Sequence, residues 1–448
     1  MKVHFIAIGG SAMHNLAISL KKKGYAVSGS DDEIFEPSKT RLDNYGILPS
    51  AIGWDADRIT PDLDAVILGM HARSDNPELL KAKDLNLKIY SYPEFLYEQS
   101  KNKKRIVVGG SHGKTTITSI ILHVLNYHGI ACDYMVGAQL EGFEVMVKLT
   151  EDAHFMVIEG DEYLTSPIDR RPKFHVYRPD VGIISGIAWD HINVFPTFEN
   201  YVSQFQIFAD MIPQDGVFIY CKEDANCCKI AQQRNHPHAF GYGLPDYEIE
   251  NHVYYINVNG QRVPLQLFGK HNLLNLNAAR LACNAMGVSD AQFYEAVPHF
   301  KGASKRLELV RETANSAVYK DFAHSPSKLS ATIAAVKDTF PDRKLVACLE
   351  LHTFSSLTAE FLQEYKNSMD RAEVAFIYFN PHTIAHKKLP PITEEMIYKA
   401  FNNNNIRIFQ DAKALQAVLQ DMEWENTNLL LMSSGNFDGI MNNEEMIN

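Results

Sequence analysis

The stretch VVGGSHGKTTITSIILHVL (residues 107–125) sets an apolar run, glycines at 109, 110 and 113, and a lysine directly ahead of a helical pattern. Ile117, Ile120, Ile121, Val124 and Leu125 recur at the spacing of one helix face, so a helix is expected to start where the glycines end. A helix N-terminus turns N–H groups toward an anion. Gly109, Gly110 and Gly113 let the backbone, with Ser111 and His112, wrap closely around phosphate oxygens. Lys114 can then reach the β and γ positions, and Thr115, followed by Thr116, can ligate Mg²⁺. The common template G-x-x-x-x-G-K-[ST] asks for glycine at 108, where this chain has Val108. A glycine-rich turn with a solvated lysine is the plain alternative. The ordered succession of strand, loop, Lys-Thr-Thr and helix favours a phosphate site.

Bulk properties remove whole classes of function. With 448 residues, 46% of them hydrophobic, the chain can bury several cores, and at roughly 100–200 residues per domain two to four are expected. A formal net charge of -11 and the lack of a long Lys/Arg run argue against nucleic acid as partner. No apolar stretch approaches the ~20 residues of a membrane span. The opening MKVHFIAIGGSAM reads as a first strand rather than a signal peptide, because glycines and His4 interrupt its apolar run. The six cysteines (132, 221, 227, 228, 283 and 348) show no C-x-x-C spacing and are expected to be buried thiols in a reducing, cytoplasmic setting.

Apolar, β-branched runs recur along the chain: VHFIAI, AVILGM, RIVVGG, HFMVIEG, VGIISGI, KLVACLEL, VAFIYF and NLLLMSSG. Helical stretches lie between them, so parallel sheets covered by helices are expected. Polar YEQSKNKKR reads as a linker, and PHFKGASKR as a second break. Three blocks follow, at residues 1–100, 101–303 and 304–448. In the first, Met13, Leu16, Ala17 and Leu20 fall on one helix face after Gly9 and Gly10.

A phosphate site on such a sheet also needs ligands at the carboxyl ends of neighbouring strands. HFMVIEGDEY delivers Glu159, Asp161 and Glu162 there, and VGIISGIAWDH delivers Asp190 and His191. Either pair alone reads as a solvated or capping turn; both after strands, downstream of Lys114, read as a site. The first block raises a rival, a dinucleotide-binding dehydrogenase. Ala7, Gly9 and Ala12 fall on the G-x-G-x-x-G frame, with Asp31 and Asp32 about twenty residues on, but only one of the three glycines is present.

GSHGKTT (110–116), the E-x-D-E and D-H strand ends, GKHNLLNLNAA (269–279), Lys305-Arg306 and DFAHSP (321–326) occur in this order along essentially the whole chain. Together they resemble the Mur ligase family, ATP-dependent enzymes that build the peptide of bacterial cell-wall precursors. The family loop G-[TS]-x-G-K-[TS] is a shortened phosphate loop, which residues 110–115 fit. The resemblance implies an α/β chain of three domains around a cleft: a Rossmann-like N-terminal domain, a central P-loop ATPase-like domain and a Rossmann-like C-terminal domain. It implies ATP and Mg²⁺, with Lys114 on the γ-phosphate and Thr115, Glu159 and His191 as metal ligands. Asn272 and Asn275 stand where relatives contact adenine, and Arg306 and Asp321 would reach the nucleotide, with His324 on the same loop. The plain reading of 270–283 is a helix start capped by Asn272 or His271. Gly9, Gly10, Ser11 and Met13 would cradle the diphosphate of a UDP-sugar, Ser30 and Asp31 would lie near the uridine, and His71 would line the same cleft.

Several relatives carry a carbamylated lysine after the D-H strand, yet no lysine occurs here between Lys173 and Lys222. The chain thus resembles the branch that acts on UDP-N-acetylmuramate itself. Its lactyl carboxylate would attack the γ-phosphate, and an amine would displace phosphate from the resulting acyl phosphate. His191 or a nearby acid is the candidate for taking the amine proton. Two amines remain open: L-alanine, or the recycled tripeptide L-Ala-γ-D-Glu-meso-diaminopimelate. Residues 159–179 look like the tripeptide branch, with E-[AG]-D-E-Y followed by D-x-R-x-K-F-x-x-Y-x-P. Arg170, Arg171 and Lys173, with Arg178, could match the tripeptide's carboxylates, or form an ordinary solvated loop face. ELHTFSS (350–356) leaves the roles of His352 and Thr353 open. The alternative from another class is a nucleotide-binding regulator without turnover, against which the intact Lys, Thr, Glu and His set argues.

Overall fold

The computed structural model describes residues 1–138, 143–190, 192–303, 306–403 and 405–442. They form two compact units, one of Met1–Ile187, Val202–Gly243 and Ala278–Ala296, the other of Ala188–Tyr201, Leu244–Asn277 and Val297–Asn448. Among the described residues no helix is long and apolar enough to cross a membrane.

The first unit holds two sheets. Strands β1 (Lys2–Ile6), β2 (Ala26–Ser30), β3 (Ala65–Leu68) and β4 (Ile89–Ser91) pair in parallel in the order β2-β1-β3-β4. Helix Ser11–Lys22 buries Met13, Leu16, Ala17 and Leu20, the face expected from their spacing. The second sheet contains β5 (Lys104–Gly109), β6 (Cys132–Met135), β7 (Val147–Lys148), β8 (Phe155–Glu159), β9 (Val181–Ile184), β10 (Val217–Cys221) and β11 (Ala239–Tyr242). Their order is β11-β10-β9-β5-β8-β6-β7, parallel except for the β6–β7 pair. Strand order therefore reverses at β5, as it does at β1. In an open parallel sheet such switch points, at the carboxyl ends of the strands, are where ligands bind.

The second unit departs from the expectation of uniformly parallel sheets. Strands β12 (Tyr247–Glu250), β13 (Val253–Val258) and β14 (Gln261–Leu265) form an antiparallel meander. Its turns are Asn251-His252, with φ 49° and 66°, and Asn259-Gly260, with φ 50° and 81°. Positive φ at both positions is the two-residue hairpin turn whose twist matches the strands it joins. The other sheet orders β15 (Glu308–Glu312), β16 (Ala317–Asp321), β17 (Lys344–Leu351), β18 (Val374–Phe379), β19 (Ile406–Phe409) and β20 (Thr427–Met432) as β15-β16-β20-β17-β18-β19. Here β15 is antiparallel to β16, with a bulge between Leu309 and Arg311. Both faces are buried: Leu345, Ala347, Leu349 and Leu351 enter one core, Val346 and Cys348 the other. Such strands read as continuous apolar runs, which is why KLVACLEL and VAFIYF were visible in the sequence.

The expected linker YEQSKNKKR is largely regular structure. Helix Tyr92–Ser100 occupies its first part and β5 its last, leaving only residues 101–103 between them. Arg105, 8% exposed, grips this connection. Its Nη1 donates to the carbonyls of Ser100, Lys101 and Lys103 at 3.1 Å each, its Nε to Arg178 O at 2.9 Å, and its Nη2 lies 3.0 Å from Asp180 Oδ2. Only a planar fork of five donors serves so many acceptors at once. Arg105→Ala is expected to cost about 1–3 kcal/mol, because the buried Ser100 carbonyl and several partly buried acceptors lose their donor. A thermal melt of the variant unchanged from the parent would contradict that assignment.

Candidate functional site

β5 lies between β8 and β9, with Val108 opposite Glu159 and Gly109 opposite Ile184. The chain leaves β5 through Gly110 at φ 133°, where a Cβ would fall 2.1 Å from Ser185 Oγ. It enters helix Lys114–Tyr127 from Gly113, which is left-handed at φ 81°. Glycine is thus required at both ends of the loop. β9 braces the loop from the side. Ser185 Oγ donates to Gly109 O at 3.2 Å and also to His112 O, and Ser111 N–H donates to Gly186 O at 2.9 Å.

The first side chain of the helix turns back over the loop. Lys114 Nζ donates to Gly110 O and to Glu162 Oε2, both at 2.8 Å, with side-chain exposures of 13% and 3% for the ion pair. Burial opposes the charge on Lys114, but the carboxylates of Glu162, Asp161 and Glu159 outweigh it, and the ammonium is held above the usual lysine value. Thr115 Oγ1 donates to Glu159 Oε1 at 2.7 Å, and Gly137 N–H to Glu159 Oε2 at 2.8 Å. Burial, followed by the charge of Asp161, raises the Glu159 carboxyl. A cation beside it would reverse that shift. The hydroxyl and carboxylate are hard oxygen donors. Among the described residues no group of three His, Cys, Asp or Glu side chains gathers to hold a metal. One carboxylate plus substrate phosphates is nevertheless how Mg²⁺ is commonly bound, so the donor set fits it. His191, the third expected ligand, lies outside the described residues.

The basic residues after β8 do not converge as one cationic cluster. A hairpin forms, with Thr165 N–H donating to Arg171 O and Ser166 N–H to Asp169 O. Arg171 pairs with Asp169, Nη2 to Oδ2 at 2.6 Å, and approaches Glu94 at 3.7 Å. Lys173 turns to Asp161 at 3.6 Å, and Arg178 lies over the Tyr97 ring. Arg170 is exposed, as are Tyr163 and Ile168. The acids that divide the cluster come from the same hairpin and from a preceding helix.

In the four-stranded sheet the loop after β1 is held by an acid at the end of β2. Gly9 N–H donates to Asp31 Oδ2 at 2.7 Å, and burial pushes the Asp31 carboxyl up to about 6. Ser30 and Met13 are buried, Gly10 is half-buried, and Ser11 and His71 are exposed. His14 organises this loop from below: its Nδ1 donates to Gly10 O at 3.0 Å, and its Nε2 lies 3.0 Å from Asn15 Nδ2. This pattern satisfies a neutral imidazole at both nitrogens.

The second unit holds the remaining predicted residues. Asn272 and Asn275 are buried in the first turns of helix Lys270–Ala285, and neither Asn272 nor His271 caps it, since the helix begins at Lys270. Asn272 Nδ2 donates to Phe268 O, and Asn275 Nδ2 reaches Asn272 Oδ1 at 3.4 Å. Arg306 lies 4.8 Å over the Phe322 ring, and Asp321 Oδ2 accepts Leu307 N–H at 2.6 Å. Burial raises the Asp321 carboxyl, opposed by Arg306. His324 Nδ1 donates to Phe322 O, and its Nε2 stands 4.0 Å from Asp190 Oδ2. Thr353 Oγ1 accepts Ser356 N–H, while His352 lies where a Cβ on Gly435 would meet it. The residues sequence reasoning overlooked are Ser185 and Gly186, whose signal was a pair of small residues directly after an apolar strand.

Three family descriptions match the chain in succession: "Mur ligase family, catalytic domain" at residues 2–104, "Mur ligase middle domain" at 108–283 and "Mur ligase, glutamate ligase domain" at 305–435. A UDP-N-acetylmuramate–L-alanine ligase of Carboxydothermus hydrogenoformans is 31% identical over 409 residues, 89% of this chain and 85% of that protein. The UDP-N-acetylmuramate–L-alanyl-γ-D-glutamyl-meso-2,6-diaminoheptandioate ligase of Haemophilus influenzae is 27% identical over 451 residues, 98% of this chain and 97% of its own. The crystal structure of a murein peptide ligase from Psychrobacter arcticus superposes with a TM-score of 0.68 at 24% identity, covering 99% of this chain and 97% of that one.

His14 makes the first loop sensitive to acid. Burial lowers its pKa below the usual 6.5, assisted by Arg41 and opposed by the Gly10 carbonyl. A depressed pKa contributes stability above the unfolded value that is lost as pH falls through the folded one. His14 therefore contributes a fall in melting temperature from about pH 7 to about pH 5, opposed by the raised Asp31 carboxyl, so over that range the parent should lose more, or gain less, than His14→Gln. Equal slopes in parent and variant would show that His14 is not the responsible group.

Proposed function

This chain belongs to the Mur ligase family, and from that premise we propose that it joins the lactyl carboxylate of UDP-N-acetylmuramate to L-Ala-γ-D-Glu-meso-diaminopimelate, for peptidoglycan recycling in the cytoplasm. Members of the family are three-domain, ATP-dependent amide-forming ligases that use ATP with Mg²⁺. The observation that carries the reading is the cluster at the end of β5. Lys114 and Thr115 open a helix there, against Glu159 and Glu162 of the neighbouring strand end.

Phosphoryl transfer asks chiefly for positioning and charge stabilisation. Lys114 supplies a fixed positive charge at the γ end of the triphosphate, exchanging Glu162 for phosphate oxygens. The glycine-bounded loop and the helix N-terminus supply N–H donors. Thr115, Glu159 and His191 would hold Mg²⁺, which when bound neutralises charge on the phosphate oxygens. A lactyl oxygen attacks the γ-phosphorus, the bond to the β-phosphate bridging oxygen breaks, and ADP leaves. The amine nitrogen then attacks the acyl carbon of the acyl phosphate, inorganic phosphate departs, and the amine proton is lost, with His191 as candidate acceptor. Asn272, Asn275, Arg306 and Asp321 are assigned to the nucleotide. Gly9, Gly10, Ser11, Met13, Ser30, Asp31 and His71 are assigned to the UDP-sugar, with domain divisions at about residues 100 and 303.

For the amine, end-to-end similarity to the Haemophilus influenzae ligase supports the tripeptide. So does the hairpin after β8: Arg170 is exposed, and Arg171 and Lys173 would trade internal carboxylates for those of a substrate. L-alanine is the second reading, favoured by the 31% identity to the Carboxydothermus hydrogenoformans enzyme. With ATP, Mg²⁺ and UDP-N-acetylmuramate, phosphate release should be stimulated strongly by the tripeptide and weakly by L-alanine. The reverse preference would move the protein to L-alanine ligation, and no response to any amine would favour a regulator. Arg170→Ala should raise KM for tripeptide more than KM for ATP. Lys114→Ala is expected to lose about a hundredfold or more in kcat. It should also lose about 1–3 kcal/mol of stability, because a largely buried ion pair and the bond to Gly110 O are removed.

A further inference from the structure

Asp224 stands between β10 and helix Ala225–Arg234, and each of its carboxylate oxygens has a separate task. Oδ1 accepts the N–H groups of Asn226 and Cys227, both at 2.9 Å, which is an ordinary helix N-cap. Oδ2 accepts the N–H of Ile187 at 2.8 Å, from a different strand 37 residues earlier. Ile187 is buried just beyond the end of β9, where its N–H has left the sheet. The residue before it, Gly186, carries the carbonyl that takes Ser111 N–H. Gly186 also lies so close to the loop that a Cβ there would fall 2.6 Å from His112 Cε1 and Nε2, and 3.6 Å from Asp224 Oδ2. The carboxylate, the β9 exit and residues 111–112 therefore form one continuous chain of contacts.

We propose that Asp224 is a positioning residue for the phosphate loop, setting through Ile187 and Gly186 where Ser111 and His112 stand. This rests on reading residues 110–115 as the site of ATP phosphates. Capping uses only one oxygen. The second makes the loop's brace a fixed distance from the next strand of the sheet, so that β10 and its helix hold β9's exit against the glycine turn. A loop whose donors are misplaced by a fraction of an ångström binds its anion less well, although nothing that touches the ligand has changed.

Asp224→Asn separates the two tasks. Asparagine caps a helix about as well as aspartate, but it has one acceptor oxygen, so the cap and the Ile187 N–H cannot both be served. The variant should melt within a few degrees of the parent. It should bind a fluorescent ATP analogue about tenfold more weakly, with KM for ATP raised and KM for UDP-N-acetylmuramate unchanged. Asp224→Ala, which loses both tasks, should show the same nucleotide defect together with a lower melting temperature. Equal nucleotide affinity in parent and Asp224→Asn would overturn the tether while leaving the phosphate site intact. Parallel rises in every KM with a large drop in melting temperature would reduce Asp224 to a structural cap. A parent that binds no ATP analogue would overturn the phosphate-site reading itself, and the tether with it.

Discussion

The site depends on one crowded contact. At Gly110 the backbone bends to φ 133° and the Ser185 hydroxyl occupies the space a Cβ would need. Only glycine can hold that conformation there. Because it does, β9 approaches closely enough for Ser185 and Gly186 to bond the carbonyls and N–H groups of the turn. The turn then releases the chain into a helix whose first side chains are Lys114 and Thr115. On the other side of β5, parallel pairing sets Glu159 opposite Val108, and Glu159 and Glu162 beyond it bond Thr115 and Lys114. Sheet order, glycine geometry and charge placement are three expressions of the same arrangement.

The electrostatics of the cluster suit an exchange of partners. Lys114 carries its charge in a largely buried place because carboxylates surround it, and burial disfavours the charge on one of them, Glu159. In the proposed function a phosphate would take the place of Glu162 at the ammonium, and a divalent cation would take the place of the proton that Thr115 shares with Glu159. The cation would offset part of the added phosphate charge, which limits the desolvation cost of binding. The pairing of Arg171 with Asp169 and of Lys173 with Asp161 has the same form at the hairpin after β8.

How much of this could be read from the chain depended on whether neighbours in sequence made the contact. The strands buried on both faces announced themselves as apolar runs, and the loop at 110–115 carried its chemistry in consecutive residues. Glu159 and Glu162 were legible because an acid just past an apolar run falls at a strand's carboxyl end. The β12–β14 meander was passed over because its half-exposed strands lack a continuous apolar signal, although Asn259-Gly260 is a strong hairpin mark. The basic stretch 170–178 looked like one patch because Asp161 and Glu94 come beside it only in the fold, although Asp169 already stood two residues before Arg171 in the sequence. Asp224 was passed over, because its bond to Ile187 is set by the pairing of β9 and β10, far apart in sequence.

The proposed reaction transfers the γ-phosphoryl group of ATP to a carboxylate at the Lys114 loop on the way to an amide. Its most direct test is to label both oxygens of the lactyl carboxylate of UDP-N-acetylmuramate with a heavy oxygen isotope, and to follow the label by mass spectrometry through turnover with ATP, Mg²⁺ and the amine. Attack by the carboxylate on the γ-phosphorus predicts that each molecule of inorganic phosphate released carries one labelled oxygen and the amide keeps the other. Phosphate released without label, while ATP is consumed, would contradict the account.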